Sequence, residues 1–110
     1  MGETLYSLDD LVRISRGNKV FVNRMKLVFI DEAQRGLNEM ETALKANDLQ
    51  TVSKVAHRMK PSLGNLKIDK LFDPIRRLEK VPDAYEGMQE DLDLLRDVLG
   101  QVIADLKREH

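Results

Sequence analysis

The stretch Ala56-His57-Arg58-Met59-Lys60-Pro61-Ser62-Leu63-Gly64-Asn65-Leu66 contains the chain's best-placed reactive group. A neutral imidazole, with a reference pKa of about 6.5, is a nucleophile near neutral pH. Val52, Ala56, Met59, Leu63 and Leu66 recur at three- and four-residue spacing, which predicts a helix with one buried face. Turning that stripe inward puts His57 on the opposite side, facing water. Ser53 lies one turn before it on the same face, and Lys60, Pro61 and Gly64 follow it there. An exposed imidazole can be approached in line by a bulky phosphoryl donor. Lys60 would bring positive charge to the phosphoryl oxygens, and phosphoryl transfer is assisted mainly by positioning and by such charge. The same charge should disfavour an imidazolium and keep the nucleophile competent.

A lone histidine on a helix surface is usually only a surface residue, and Lys60 alone reads as a solvated lysine. Two neighbours argue for more. A glycine inside a helix costs about 1 kcal/mol relative to alanine, so Gly64 needs a reason. The absence of its side chain would let another protein's surface approach closely. Pro61 removes the hydrogen bond to the His57 carbonyl and crowds it, at a cost of roughly 3 kcal/mol. It predicts a kink or a lengthened hydrogen bond near His57.

Helical periodicity extends along the rest of the chain, and strand signals are nearly absent. Helices are expected at about 7–16, 19–46, 48–67, 70–80 and 87–108. Ser7 with Asp10 suggests a capping box, Tyr6 with Leu11 a hydrophobic staple, and Gly17 a stop. The second helix carries Phe21, Met25, Val28, Phe29, Leu37, Met40 and Leu44 as its apolar set. Asn47-Asp48 breaks it, with Asp48 placed to cap the third. The fourth begins at Asp69, or at Asp73 with Pro74 in the first turn, and Val81-Pro82-Asp83 ends it. The last presents Met88, Leu92, Leu95, Leu99, Val102 and Leu106 on one face. The expected fold is all-α: an up-and-down antiparallel four-helix bundle, with a short additional N-terminal helix across one end. Residues 1–110 then form one domain.

Bulk properties exclude several function classes. The 110 residues are 34% charged and 42% hydrophobic, with a formal net charge of -1. That balance offers no electrostatic basis for binding nucleic acid or an anionic membrane. With no cysteine, disulfides, thiolate catalysis and zinc thiolate sites are excluded. No apolar run approaches the roughly 20 residues of a membrane span, and Met1-Gly2-Glu3-Thr4 does not open a secretion signal. A cytoplasmic location is expected.

The pattern His57-x-x-Lys60-x-Ser62-x-Gly64 resembles the signature of histidine-containing phosphotransfer (HPt) domains, which is His-x-x-Lys-Gly followed by small residues. The resemblance covers nearly the whole chain. Leu8 to Gly17 is similar to the family's short first helix, and a long second helix ends at Ala46-Asn47-Asp48 just before the site helix. The resemblance implies that His57 accepts the phosphoryl group, that Lys60 stabilises it and that Gly64 gives access. It implies receiver domains as partners, on response regulators or hybrid sensor histidine kinases, and a monomeric phosphocarrier with no autokinase machinery. No cofactor of its own is implied, since the magnesium ion would belong to the receiver. There are two departures: Pro61 replaces the usual Gly, and Lys67 stands where a second Gly often closes the motif.

Three other readings compete. The phospho-acceptor box of sensor kinases has an acidic residue after its histidine and a proline five residues on. Here Arg58 follows His57, and Pro61 comes one position too early. A ferritin-like metal bundle needs inward-facing carboxylates and Glu-x-x-His pairs. His57 faces outward, and His110 is at the chain end. A non-catalytic helical adaptor is the alternative from another class. It predicts an apolar groove and no phosphorylation.

Overall fold

The computed structural model describes residues 5–80 and 86–108. Five α-helices follow one another: α1 (Asp9–Ile14), α2 (Lys19–Lys45), α3 (Leu49–Asn65), α4 (Phe72–Glu79) and α5 (Met88–Arg108). A 3-10 turn, Asp69–Leu71, leads into α4. There is no strand among the described residues, and no helix of theirs is long and apolar enough to cross a membrane. Contacts run from α2 to α3, α3 to α4, α4 to α5 and back to α2, closing a four-helix bundle. The proposed stop at Val81-Pro82-Asp83 lies outside the described residues.

Burial fixes the rotation of each helix. All five stripe residues of α3 and its cap are buried, joined by Val55, and all six of α5 are buried as expected. In α2 the expected Phe29, Leu37 and Met40 are buried, but the face is only partly the one expected. Its seam runs Val22, Lys26, Phe29, Ala33, Gly36, Met40 and Ala43, an alternating four–three spacing, with Ile30 and Leu37 buried beside it. Phe21 and Val28 lie outside it and are exposed. The large apolar side chains mislead here because the seam also includes a lysine, a glycine and alanines. Lys26 is buried in this seam. At Gly36, an added Cβ would stand 2.7 Å from the Met59 sulfur. Its bare backbone lets α2 close on α3 beside the candidate site.

Helix ends follow local chemistry. Asn18 caps α2 by accepting from the Phe21 N–H. Asp48 caps α3 as expected, accepting from both the N–H and the hydroxyl of Thr51, at 3.2 and 2.6 Å. Those bonds hold its carboxyl below the usual range. The expected Ser7–Asp10 box does not form. Ser7 accepts from the Asp9 N–H in a local turn, and Asp10 pairs instead with Arg13 and Lys67. Tyr6 packs against the core and donates to Asp105 at 2.5 Å. The Ser7 N–H donates to the Leu66 carbonyl, so the N-terminal segment lies across the end where α3 finishes. Both sequence starts for α4 are partly right, since Asp69 opens the 3-10 turn and Pro74 falls in the first α-turn. α3 continues through Pro61 as one helix.

Three helices end on non-glycine residues in the left-handed region: Arg16 after α1, Asn47 after α2 and Lys67 after α3. The α3 end is a Schellman motif. The Lys67 N–H reaches the Gly64 carbonyl and the Ile68 N–H reaches the Leu63 carbonyl. A side chain in this conformation costs about 1–2 kcal/mol, which explains why glycine suits position 67. We expect Lys67→Gly to raise unfolding stability by about 1 kcal/mol in urea titrations, since its 3.7 Å pair with Asp10 is exposed and weak. Lys67→Ala, equally strained, should bring no such gain. Equal midpoints for the two variants would contradict this account.

Candidate functional site

His57 lies midway along α3, on the face opposite the buried stripe, with its side chain 75% exposed. One turn earlier and one turn later on the same ridge are Ser53 and Lys60. All three end on a single residue that periodicity did not pick out: Glu79, the last residue of α4. His57 Nδ1 is hydrogen-bonded to Glu79 Oε2. Lys60 Nζ donates to Glu79 Oε1 at 2.7 Å. Ser53 Oγ donates to the Glu79 backbone carbonyl. That carbonyl is one of the four at a helix C-terminus without an intrahelical donor, so Ser53 both satisfies it and fixes where the Glu79 side chain begins.

Glu79 is only 19% exposed. Its carboxyl is held below the usual glutamate range, first by the hydrogen bond from Lys60 and then by that from His57. It is therefore ionised at neutral pH and can only accept. The positive charge of Lys60 does not face the imidazole alone, as expected from spacing. It is shared through a carboxylate, giving a Lys60–Glu79–His57 array.

The other sequence-chosen residues are placed as follows. Gly64 is on the exposed surface of α3, and a Cβ added there would meet no atom within 4 Å. Nothing inside the fold requires glycine at this position. Pro61 is exposed and cannot donate to the His57 carbonyl. Ser53, expected to be open on the His57 face, is partly covered by α4 through its bond to Glu79. On the other flank α3 is tied to α2 by Arg58 to Glu39 at 2.6 Å and Ser62 to Glu32 at 3.3 Å. Between α2 and α3 runs an open groove of about 410 Å³, lined in part by Phe29, Glu32, Arg58, Pro61 and Ser62. Val12 and Ile14 of α1 and Val20, Phe21, Leu27 and Val28 of α2 are exposed apolar side chains.

Glu79 escaped sequence reasoning because its partners are on a different helix, 19 to 26 residues away. The available signal was an acidic residue at the end of the helix following the site helix, where a carboxylate opposes the macrodipole and is unfavourable without cationic partners.

The lowered Glu79 value sets the sign of a pH effect. A carboxylate depressed on folding contributes stability that is present above its unfolded value, about 4.3, and lost as pH falls through the lower folded value. The Glu79 carboxyl carbon should therefore titrate by NMR with a midpoint below that of an unpaired glutamate. Lys60→Met should move the midpoint up. An unmoved midpoint would mean that Lys60 is not the main cause.

Compared with known proteins, the chain matches the family model of the Hpt domain over residues 24–108, most of its length. No curated protein and no solved structure matches it.

Proposed function

The chain belongs to the Hpt domain family, whose members are histidine phosphocarriers of two-component phosphorelays, and on that premise we propose that His57 is its phospho-acceptor. The observation that carries this reading is the exposed imidazole whose Nδ1 is occupied by Glu79. The other ring nitrogen, Nε2, then holds the free lone pair. The donor is an aspartyl phosphate of a receiver domain, and a second receiver takes the group onward. Magnesium is held on the receiver. Lys60, one turn from His57, supplies positive charge to the phosphoryl oxygens where charge assists most. An ammonium has three donors, so it can reach those oxygens without abandoning Glu79. The receiver docks on the ridge around His57 and Gly64, the groove between α2 and α3, and the apolar surface of α1 and early α2. An exposed apolar area of this kind marks an interaction surface.

Incubation with a phosphorylated receiver should transfer an acid-labile label to the protein. His57→Gln should abolish it while the helical circular dichroism and the melting temperature stay close to wild type, since an exposed residue contributes little to stability. Label retained in the variant would assign the chemistry to another residue. Absence of label from the wild type with every receiver offered would favour a helical adaptor that uses the same apolar surface.

Gly64 separates folding from docking. Because no atom of the fold meets a Cβ there, Gly64→Ala should stabilise the bundle by about 0.5–1 kcal/mol. The same methyl group should slow labelling and weaken receiver binding. A variant that is more stable and transfers normally would withdraw the access role from Gly64.

A further inference from the structure

We propose that Lys54 is a steering residue for the phosphorylated receiver: its unpaired charge beside His57 speeds encounter and takes no part in the transfer step. This inference rests on a receiver being the partner that docks at His57.

The charge of the site helix is one-sided. Between Leu49 and Asn65, α3 carries Lys54, Arg58 and Lys60 and no acidic residue. Each of the other four α-helices carries at least one. A chain of net charge -1 thus places its histidine on a positive helix. Two of the three cations are already committed. Arg58 is paired with Glu39 of α2 at 2.6 Å, and Lys60 with Glu79 of α4 at 2.7 Å. The Lys54 side chain is exposed and makes no hydrogen bond or ion pair among the described residues.

Its surroundings explain why it stays free. Lys54 and Lys60 stand three residues either side of His57. At about 100° per residue they fall on opposite flanks of its ridge. Lys60 leans to α4, whereas Lys54 shares its flank with Arg58, four residues on, which reaches α2. There α2 has no carboxylate to spare. Its last two are Glu39, taken by Arg58, and Glu41, which turns to Arg96 of α5 at 3.2 Å. Beyond Glu41 the helix continues only through Thr42, Ala43, Leu44 and Lys45. Asp48 feels the Lys54 charge through space, yet both of its oxygens are bonded to Thr51.

A phosphorylated receiver brings the opposite charge. A phosphoryl group is anionic at neutral pH, and magnesium is held by carboxylates. Attraction between such a mouth and the ridge begins before contact. It extends over about 10 Å at 0.1 M salt and about 30 Å at 0.01 M. At that range an ion pair contributes little, because its two charges cancel. The Lys54 charge is not cancelled in this way. A rim charge of this kind acts on the association rate and its salt dependence. The two lysines therefore divide the work, Lys54 acting on encounter and Lys60 on the phosphoryl oxygens after docking.

The test separates encounter from transfer. Association with fluorescently labelled, phosphorylated receiver domains is followed by stopped flow in a His57→Gln background, so that no phosphoryl group moves during the measurement. At about 0.01 M ionic strength, Lys54→Gln should slow association roughly two- to fivefold, and Lys54→Glu roughly tenfold. At about 0.5 M salt the variants and their parent should associate alike. With His57 restored, the transfer rate at saturating receiver should be unchanged, as should the melting temperature. Lys45→Gln removes an equal charge from the groove between α2 and α5 and should leave association near the parent rate. Equal salt slopes for Lys54→Gln and its parent, or an equal slowing by Lys45→Gln, would overturn the proposal. So would a lower saturated transfer rate with unchanged association, which would move Lys54 into the transfer step. Steered association by a protein that no receiver labels would uphold the steering and refute the phospho-acceptor role. Failure of every receiver to associate at low salt would refute both.

Discussion

The rotation of α3 about its own axis is the constraint on which the site depends. Five of its residues, with Leu66 at the cap, are almost fully withdrawn from water. At about 1.5–3 kcal/mol for each large buried side chain, turning the helix by even one residue would be prohibitive. With that face committed to the core, His57 has nowhere to go but outward. Gly36 sharpens the constraint. Its missing side chain lets Met59 lie directly on α2, and Met59 is two positions from the histidine. The exposure of His57 is thus a product of core packing, enforced from the opposite side of the same helix.

Rotation alone would leave the imidazole free to spin on its two side-chain torsions. Restraint comes from α4. That helix is short, only Phe72–Glu79, and it stops where its final carboxylate meets the ring. A glutamate at a helix C-terminus is electrostatically misplaced. Lys60 and His57 reverse that penalty by supplying donors from a neighbouring helix, and Ser53 satisfies the terminal carbonyl. The third and fourth helices therefore meet through a polar cluster at the surface and an apolar one beneath it, with Ile75 and Leu78 in the core. Polar bonding and apolar packing use opposite edges of the same pair of helices.

Much of this was legible in the sequence, for reasons that can be named. α3 and α5 have strict apolar stripes, so their buried faces could be read directly. Asp48 announced the start of α3 because an acidic side chain three residues before Thr51 is an ordinary cap. The family resemblance rested on His57, Lys60, Ser62 and Gly64; His57, Lys60 and Gly64 are exposed on α3, while Ser62 turns toward α2 and donates to Glu32. What could not be read had one physical origin: it depended on partners distant in sequence. The seam of α2 includes Lys26, Ala33 and Gly36, whose fit is defined by what α3 brings to them. The Ser7–Asp10 box lost to tertiary bonds, with Ser7 giving its N–H to Leu66 and Asp10 meeting Lys67. Glu79 belongs to the same class, since its role exists only once α4 has folded back onto α3.

The residues of α3 that are poor choices for a helix are not scattered. Pro61, Gly64 and Lys67 all fall in its last turns or just beyond. Lys67 differs from the other two. Its strain belongs to the turn, and its side chain makes only a weak 3.7 Å pair with Asp10. Pro61 and Gly64 relieve nothing inside the molecule. One removes a backbone donor beneath His57, and the other leaves a bare surface where alanine would fit. The buried stripe below them is strong enough to hold the helix together regardless, which allows the exposed ridge to be selected for something other than stability. A surface that gives up helix propensity next to an oriented, solvent-facing imidazole is what the proposed docking of a receiver calls for. In that proposed docking, the open groove between α2 and α3 and the exposed apolar side chains of α1 and α2 would lie beside the ring.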